Sequence, residues 1–497
     1  MPDSKSCLRL QIDDVRVQCD WNNMASASLL EVDGQTSLNI SNSSFLDCVS
    51  ASDGGLVAVS GGVTVNIADS FFGNSLAYGS GGALAVSESD LHLTRSTFQN
   101  CSAASAGYGG AISLASSHSV IEKSNFYKCS SSQGGGALII SGGSTVVSQN
   151  TISGCVSDGD GGGIMIFQGA IVNVSQSELI DLSSGGNGGA MTIVGGQLYV
   201  LKSNFTSCRA LNGGGGIFAS QSQCYGAAAL QNTDLVLDKC NFDTCTSDGK
   251  GGAALITSNK VSASIGIALF RDCASKVAGG ALFAGSGATL SVTGSVFFNN
   301  TSFDVGGALA ATDSANVVLG STVFKKCRAK TAGGSISTDS AFLSIENADF
   351  QDSAADSGGG GAVFSKFSSL LFRNTKFARN QAPNGGGGAL FWEGSKWPIF
   401  EPETPSCSDG LAAFGPCWAS SFKSLFVLGM PTLSAPAYPG LEFPVSVFKK
   451  DAYNQTVITD SGTVLLTQAA RDGNEGAIDP FLYISGKSIV KLQQGVA

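Results

Sequence analysis

Gly81-Gly82-Ala83-Leu84-Ala85-Val86, Asp90-Leu91-His92-Leu93, Ser96-Thr97-Phe98 and then Cys101 follow one another within a single short stretch. Leu84 and Val86 share a face, as do Leu91 and Leu93, because side chains alternate along a strand. The stretch therefore reads as three short strands, Ala83 to Val86, Asp90 to Leu93 and Ser96 to Phe98, separated by Ser, Asp and Gly. Three such strands cannot bury their apolar faces alone. They can if many similar stretches stack on one another.

The rest of the chain supplies those stretches. A pattern F-x-x-C/N, a polar run and G-G-A-L/I starts at Phe45, Phe71, Phe98, Phe126, Ile152, Leu179, Phe205, Phe242, Phe270, Phe297, Phe324, Phe350 and Phe377. The 13 copies are 26 to 28 residues apart, except for one gap of 37 that holds an insertion near 221–231. A repeat of this length built from strands predicts an all-β, right-handed parallel β-helix, one coil per copy, with coils ~4.8 Å apart. The Phe slot becomes an interior column of stacked rings. The Gly pair marks a tight bend, where a β-carbon meets the adjacent coil or the backbone needs φ > 0. No helical period persists, and no GxxxxGK[ST] string turns the glycines into a phosphate cradle.

The paired signature resembles the repeats of the chlamydial polymorphic outer membrane proteins. Phe71…Asn74 with Gly81-Gly82-Ala83-Leu84, Phe297…Asn300 with Gly306-Gly307-Ala308-Leu309, and Phe377…Asn380 with Gly387-Gly388-Ala389-Leu390 carry the likeness. The resemblance implies a pectin-lyase-like β-helix and a surface adhesin. The chain departs from that family in placing Cys at the Asn slot in eight of 13 copies. It also has no aromatic-rich, alternating C-terminal barrel segment. In both respects it is similar to the large surface proteins of unicellular eukaryotes that carry the same repeats.

Composition bounds the function. The chain has 497 residues, of which 66 are Gly and only 13% are charged, and its net charge is −10. That charge argues against nucleic acid as a partner, which needs a basic footprint. Two histidines, His92 and His118, leave little material for His-based metal sites or catalysis. Asp158 and Asp160 are the closest acidic pair, and both fall in a loop that is polar in every copy. Glycosidic hydrolysis needs two facing carboxylates, and the acids are otherwise scattered. No cofactor or metal is expected. Tyr78, Tyr108 and Tyr127 are the candidates for a sugar-binding groove.

The slot cysteines are Cys48, Cys101, Cys129, Cys155, Cys208, Cys245, Cys273 and Cys327. A ladder of free buried thiols is the plainer reading. Side-by-side parallel neighbours suit a disulfide poorly, although their Cα spacing permits one. Cys224 with Cys240 and Cys407 with Cys417 lie in irregular segments and are the candidate disulfides. Eight N-x-S/T sequons are candidate glycosylation sites: Asn39, Asn42, Asn100, Asn173, Asn204, Asn299, Asn300 and Asn454.

Three regions are expected: a β-helix over 1–395, an irregular end segment over 396–436, and the opening strands of an immunoglobulin-like sandwich over 437–497. Both ends look open, so the chain reads as part of a longer protein. A signal sequence is expected upstream and a membrane anchor downstream, with end-to-end association when the chain is expressed alone. The function expected is a non-enzymatic, extracellular or cell-surface rod that binds a protein or glycan ligand. The alternative is a pectin-lyase-like carbohydrate-active enzyme or glycan-binding protein.

Overall fold

The structure, a computed structural model, describes residues 9–19, 27–221, 232–428, 445–459, 463–465 and 489–491. It is a right-handed parallel β-solenoid. Among these residues every regular element is a strand, and no helix is long and apolar enough to cross a membrane.

Each coil has four strands rather than three. In the coil quoted above they are Leu84–Ser87, Asp90–Thr94, Thr97–Gln99 and the two-residue Ser102–Ala103. The first two join across a corner into one parallel sheet of 28 strands. The third strands form a sheet of 15, and the fourth a sheet of 14. The fifteen third strands count fifteen coils, two more than the repeat shows. The additional ones are a first coil with Arg9–Asp13 and Arg16–Gln18, and a last coil with Ile399–Glu401, Ser406–Ser408, Leu411–Phe414 and Trp418–Ser420. The solenoid therefore runs beyond residue 395, through much of the segment expected to be irregular.

The Phe column is present, with one correction of register. Phe72, not Phe71, pairs with Phe45 and Phe98. Phe71 points outward, and the slot residue of that coil is the buried Ser75, not Asn74. Rings of successive coils stack 4.5 to 5.4 Å apart, tilted by 2 to 14°. Val17 precedes the column and Cys407 ends it.

The two glycines of the pair answer to different constraints. Gly81 has φ +71, and a β-carbon there would lie 2.3 Å from the Leu84 carbonyl oxygen. A β-carbon on Gly82 would lie 2.1 Å from the Gly110 carbonyl oxygen of the next coil. The first is a conformational requirement, the second a matter of coil spacing.

The C/N slot has one chemical job. Cys101, Cys129, Cys245, Cys273 and Cys327 each donate S–H to the carbonyl of the Phe-column residue one coil back, at 3.6 to 3.7 Å. Asn300 and Asn380 donate Nδ2–H to the same carbonyl, both at 3.0 Å. Their Oδ1 atoms also accept the slot N–H of the preceding coil. Cys and Asn alternate in the repeat because both satisfy that buried carbonyl.

Burial pushes the thiols of Cys129, Cys155, Cys208 and Cys273 well up, that of Cys240 to about 11 and that of Cys327 to about 12. The unfolded chain ionises these groups near pH 9 while the folded chain keeps them neutral. Their contribution to stability is thus complete below that pH and lost as pH rises through the folded value. Thermal melts from pH 8 to 11 should show stability falling above about 9, by about 1.4 kcal/mol per pH unit for each such thiol. Cys327→Asn, which keeps the hydrogen bond, should make the slope shallower by one thiol's share.

A serine ladder lines the corner two residues before the Phe column. Ser70 Oγ accepts the N–H of Ser43, Ser96 Oγ that of Ser70, and Ser124 Oγ that of Ser96, at 3.1 to 3.2 Å. Asn150 and Ser177 continue the ladder. A second serine column is satisfied only in part: Ser50, Ser157 and Ser302 find partners. Ser131, Ser184, Ser247 and Ser275 are buried in the fourth strands, and their hydroxyls make no hydrogen bond. Ala77, Ala103, Ala210 and Ala329 occupy the same column. Ser247→Ala should therefore stabilise the chain by about 1 kcal/mol, because an unsatisfied buried hydroxyl is removed at a site shaped for Ala. Chemical denaturation would read the gain.

Two disulfides tie the ends of the stack. Cys407–Cys417, as expected, links the Phe column to the interior column that follows the Gly pairs, inside the last coil. Cys19–Cys48 joins the first coil to the second and was not among the expected pairs. Cys240 is a buried free thiol that donates to the Val200 carbonyl, so it forms no bridge to Cys224, which lies outside the described residues.

Beyond the last coil, Ser424–Leu428 pairs antiparallel with Ser446–Lys450, and Thr463–Leu465 with Ile489–Lys491. The sandwich strands expected over 437–497 fall largely outside the described residues. Asp451 to Gln455 form a turn that lies against the last coil of the solenoid. Asp451 is buried and accepts the N–H groups of Ser420, Tyr453 and Gln455. Trp392 Nε1–H donates to the Tyr453 hydroxyl, and Val457 packs with Phe414 and Ala419. The edge of Trp418–Ser420 in the last coil is thus covered, where an open end was expected.

Candidate recognition surface

The inward columns are committed to packing and to ladders between coils, so chemistry directed at a partner must come from the outward positions. The sequence-derived candidates distribute as follows. His92 is an exposed outward residue, and His118 lies beside Asp90 in the adjacent coil, Nδ1 to Oδ1 3.8 Å. Asp160 Oδ1 accepts the N–H of Asn187 at 2.6 Å, while Asp158 is exposed in the same loop. Asp53 Oδ1 accepts Ser80 N–H in the same way. Asp160 is therefore a loop residue whose carboxylate bonds between coils. Among the described residues no group of three His, Cys, Asp or Glu side chains comes together in a way that could hold a metal ion.

Tyr78, Tyr108 and Tyr127 do not share a groove. Tyr127 stands on the outer face of the third-strand sheet, Tyr78 follows a fourth strand, and Tyr108 packs its ring 6.4 Å from Phe167. The sequons also separate. Asn42, Asn100, Asn173, Asn299 and Asn454 are exposed, and Asn39 and Asn204 are half-buried. Asn300 is fully buried with both amide atoms bonded in the slot, so no glycan transferase can reach it in the folded chain.

Six outward arginines pair with carboxylates across coils. Arg95–Asp69, Arg328–Asp356 and Arg379–Asp352 lie at 2.6 to 2.8 Å. The Arg95 guanidinium, hydrogen-bonded to Asp69, holds that carboxyl below its usual range, and Arg379 does the same to Asp352. Exposed pairs of this kind add little stability.

Three of the outward aromatics that the tyrosine reading missed lie at or beside the second strands of the last three coils. Phe342 is 41% exposed, Phe367 64%, Trp397 56% and Ile399 55%. Phe342 and Ser369 are register partners, as are Leu371 and Ile399. Lys396 Nζ donates to Ser369 Oγ at 3.2 Å. Trp397 is held by the rings of Trp392 and Tyr453, at 5.2 and 5.7 Å. Phe367 has φ 48, a left-handed conformation that bulky side chains rarely adopt. Gly394 lies against Phe367, where a β-carbon would be in ordinary contact with it at 3.4 Å. The signal for Phe342 was in the sequence: with Leu343 and Ile345 facing inward, Phe342 must face out.

Residues 28–205 match the family model described as right handed beta helix region. No curated protein matches the chain. Among solved structures there is a similarity to the PL6 family alginate lyase AlyGC, at 11% identity over 83% of this chain and 86% of that one. With a TM-score of 0.14 it carries no argument.

Proposed function

We propose that the chain is a non-enzymatic, extracellular or cell-surface module whose coil stack acts as a rod presenting recognition surfaces. The observation that carries this reading is the division of labour in the coil. The repeat signature is spent on inward columns, in thirteen of the fifteen coils, while outward positions differ from coil to coil. Such an arrangement builds a long, regular support for side chains that differ locally. The disulfides Cys19–Cys48 and Cys407–Cys417 fit an oxidising compartment, and the exposed sequons are compatible with one. The resemblance to surface adhesins points the same way.

The test has two arms. The purified chain, immobilised, is offered arrays of extracellular proteins and glycans. It is also incubated with polygalacturonate and alginate, and chain length is followed. Saturable binding without shortening of either polymer is the expected result. Shortening of a polymer would favour the enzyme alternative, and the absence of any saturable partner would overturn the recognition reading.

A further inference from the structure

Six of the eight free cysteines among the described residues stand in two runs of three. Cys101, Cys129 and Cys155 occupy the slot in three consecutive coils, and Cys208, Cys245 and Cys273 in three more. Leu182 separates the runs, while Cys327 has Asn300 and Ser353 as its slot neighbours. The strands on both sides of each slot are in register, so neighbouring slot Cα atoms lie about 4.8 Å apart. That spacing is inside the range a disulfide requires. The Cys129 thiol interacts directly with those of Cys101 and Cys155, and the Cys245 thiol with those of Cys208 and Cys273. Cys48, another slot residue, is already bridged to the coil before it, with the two Cα atoms 4.9 Å apart. A bridge along the rod axis is therefore compatible with the coil rise.

We propose that each run of three is a site for one coil-to-coil disulfide, always made by its middle cysteine. The end members of a run are two coils, about 9.6 Å, apart, too far to bridge. Cys129 thus pairs with Cys101 or Cys155, and Cys245 with Cys208 or Cys273. The third thiol of each run stays beside the bridge and can shift it by one coil through thiol–disulfide exchange. This goes beyond the recognition role and does not depend on it.

The chemistry balances with glutathione disulfide as oxidant. One slot thiolate attacks glutathione disulfide, forming a mixed disulfide and releasing a glutathione thiolate, which takes up the proton the protein thiol lost. The neighbouring thiolate then attacks the protein sulfur of the mixed disulfide, and the second glutathione leaves. Two protein thiols are oxidised, and one glutathione disulfide is reduced to two thiols. All six cysteines are fully buried in the stacked coils, so the bridges form before the coils close and then persist. Each bridge gives up two weak S–H donors but constrains the unfolded chain across one coil.

The test produces the whole chain through an oxidising secretory pathway and blocks free thiols with N-ethylmaleimide under denaturing conditions. Thermolysin peptides are then mapped by mass spectrometry. Links through Cys129 and through Cys245 should appear, close to one per run, with Cys240 and Cys327 alkylated. Cys129→Ser should leave Cys101 and Cys155 both alkylated, whereas Cys101→Ser should retain the Cys129–Cys155 link. Ser75 and Ser353 fill the slot in other coils, so the fold accepts these changes. Alkylation of all six cysteines in the unaltered chain would overturn the proposal. So would a link between Cys101 and Cys155 in the Cys129→Ser variant.

Discussion

Phe324→Ala should destabilise the chain by about 3–5 kcal/mol, the cost of an unfilled phenyl-sized site in a packed core. Phe324 is fully buried and stacked on both sides, 4.6 Å from Phe297 and 4.7 Å from Phe350. Neither neighbour can move in to close the gap, because each is held in its own coil by sheet hydrogen bonds. Phe205→Ala should cost somewhat less. Its ring stacks on Phe242 at 4.5 Å, but its other neighbour in the column is Leu179, a flexible side chain that can partly relax. In a coil stack most contacts are between nearest neighbours, so the loss should stay local. Amide hydrogen exchange should show protection falling in the coils beside Phe324 and recovering a few coils away. Uniform loss across all fifteen coils would show that the stack unfolds as one unit and that the one-dimensional picture is wrong.

The local character of that effect follows from what the repeat encodes. The repeat length, the Phe column and the Gly pairs are inward or backbone requirements that recur in every coil, and they are readable because stacking imposes them each time. The register at Phe71 and Phe72 was misread because two adjacent phenylalanines fit the slot equally well in one dimension. Only the pairing of Phe72 with Phe45 and Phe98 separates them. The fourth strand escaped notice because two residues, such as Ser102 and Ala103, are too short to show alternation. The serine ladder was hidden for another reason: Ser96 and Ser124 look like ordinary turn residues until the coil spacing puts one hydroxyl under the next amide. The first and last coils lack the repeat signature, with Val17 and Cys407 where Phe is expected. Least readable was the outward face. Phe342, Leu371 and Ile399 are far apart in sequence and come onto neighbouring coils only through register.

Asp451→Ala should release the segment that covers the C-terminal end of the stack. The Asp451 side chain is 3% exposed. Its Oδ1 accepts the N–H of Tyr453 at 2.9 Å and of Gln455 at 2.8 Å, and its Oδ2 accepts the N–H of Ser420 at 3.2 Å. The first two bonds shape the turn, and the third fastens it to the last coil. Removing the carboxylate leaves three amide donors without an acceptor, and each bond to a charged group is worth about 1.5–3 kcal/mol. The losses are coupled within one turn and will not add fully, so a local cost of about 3–5 kcal/mol is expected. The remaining attachments are the Gln455 side chain on the Trp418 carbonyl, Ala452 N–H on Ser420 Oγ and the Trp392–Tyr453 bond. These are neutral bonds, worth about 0.5–1.5 kcal/mol each. Release uncovers the edges of the last strands together with Phe414 and Trp418, a surface that templates pairing with another chain. Hydrogen exchange should then show residues 451–457 unprotected while the interior coils keep their protection. Sedimentation velocity should show association that rises with concentration beyond that of the unaltered chain. Asp451→Asn, which retains a carbonyl acceptor, should lie between the two. A variant Asp451→Ala that stays as protected and as monodisperse as the parent would show that the apolar contacts of Val457 and Tyr453 alone hold the cover in place.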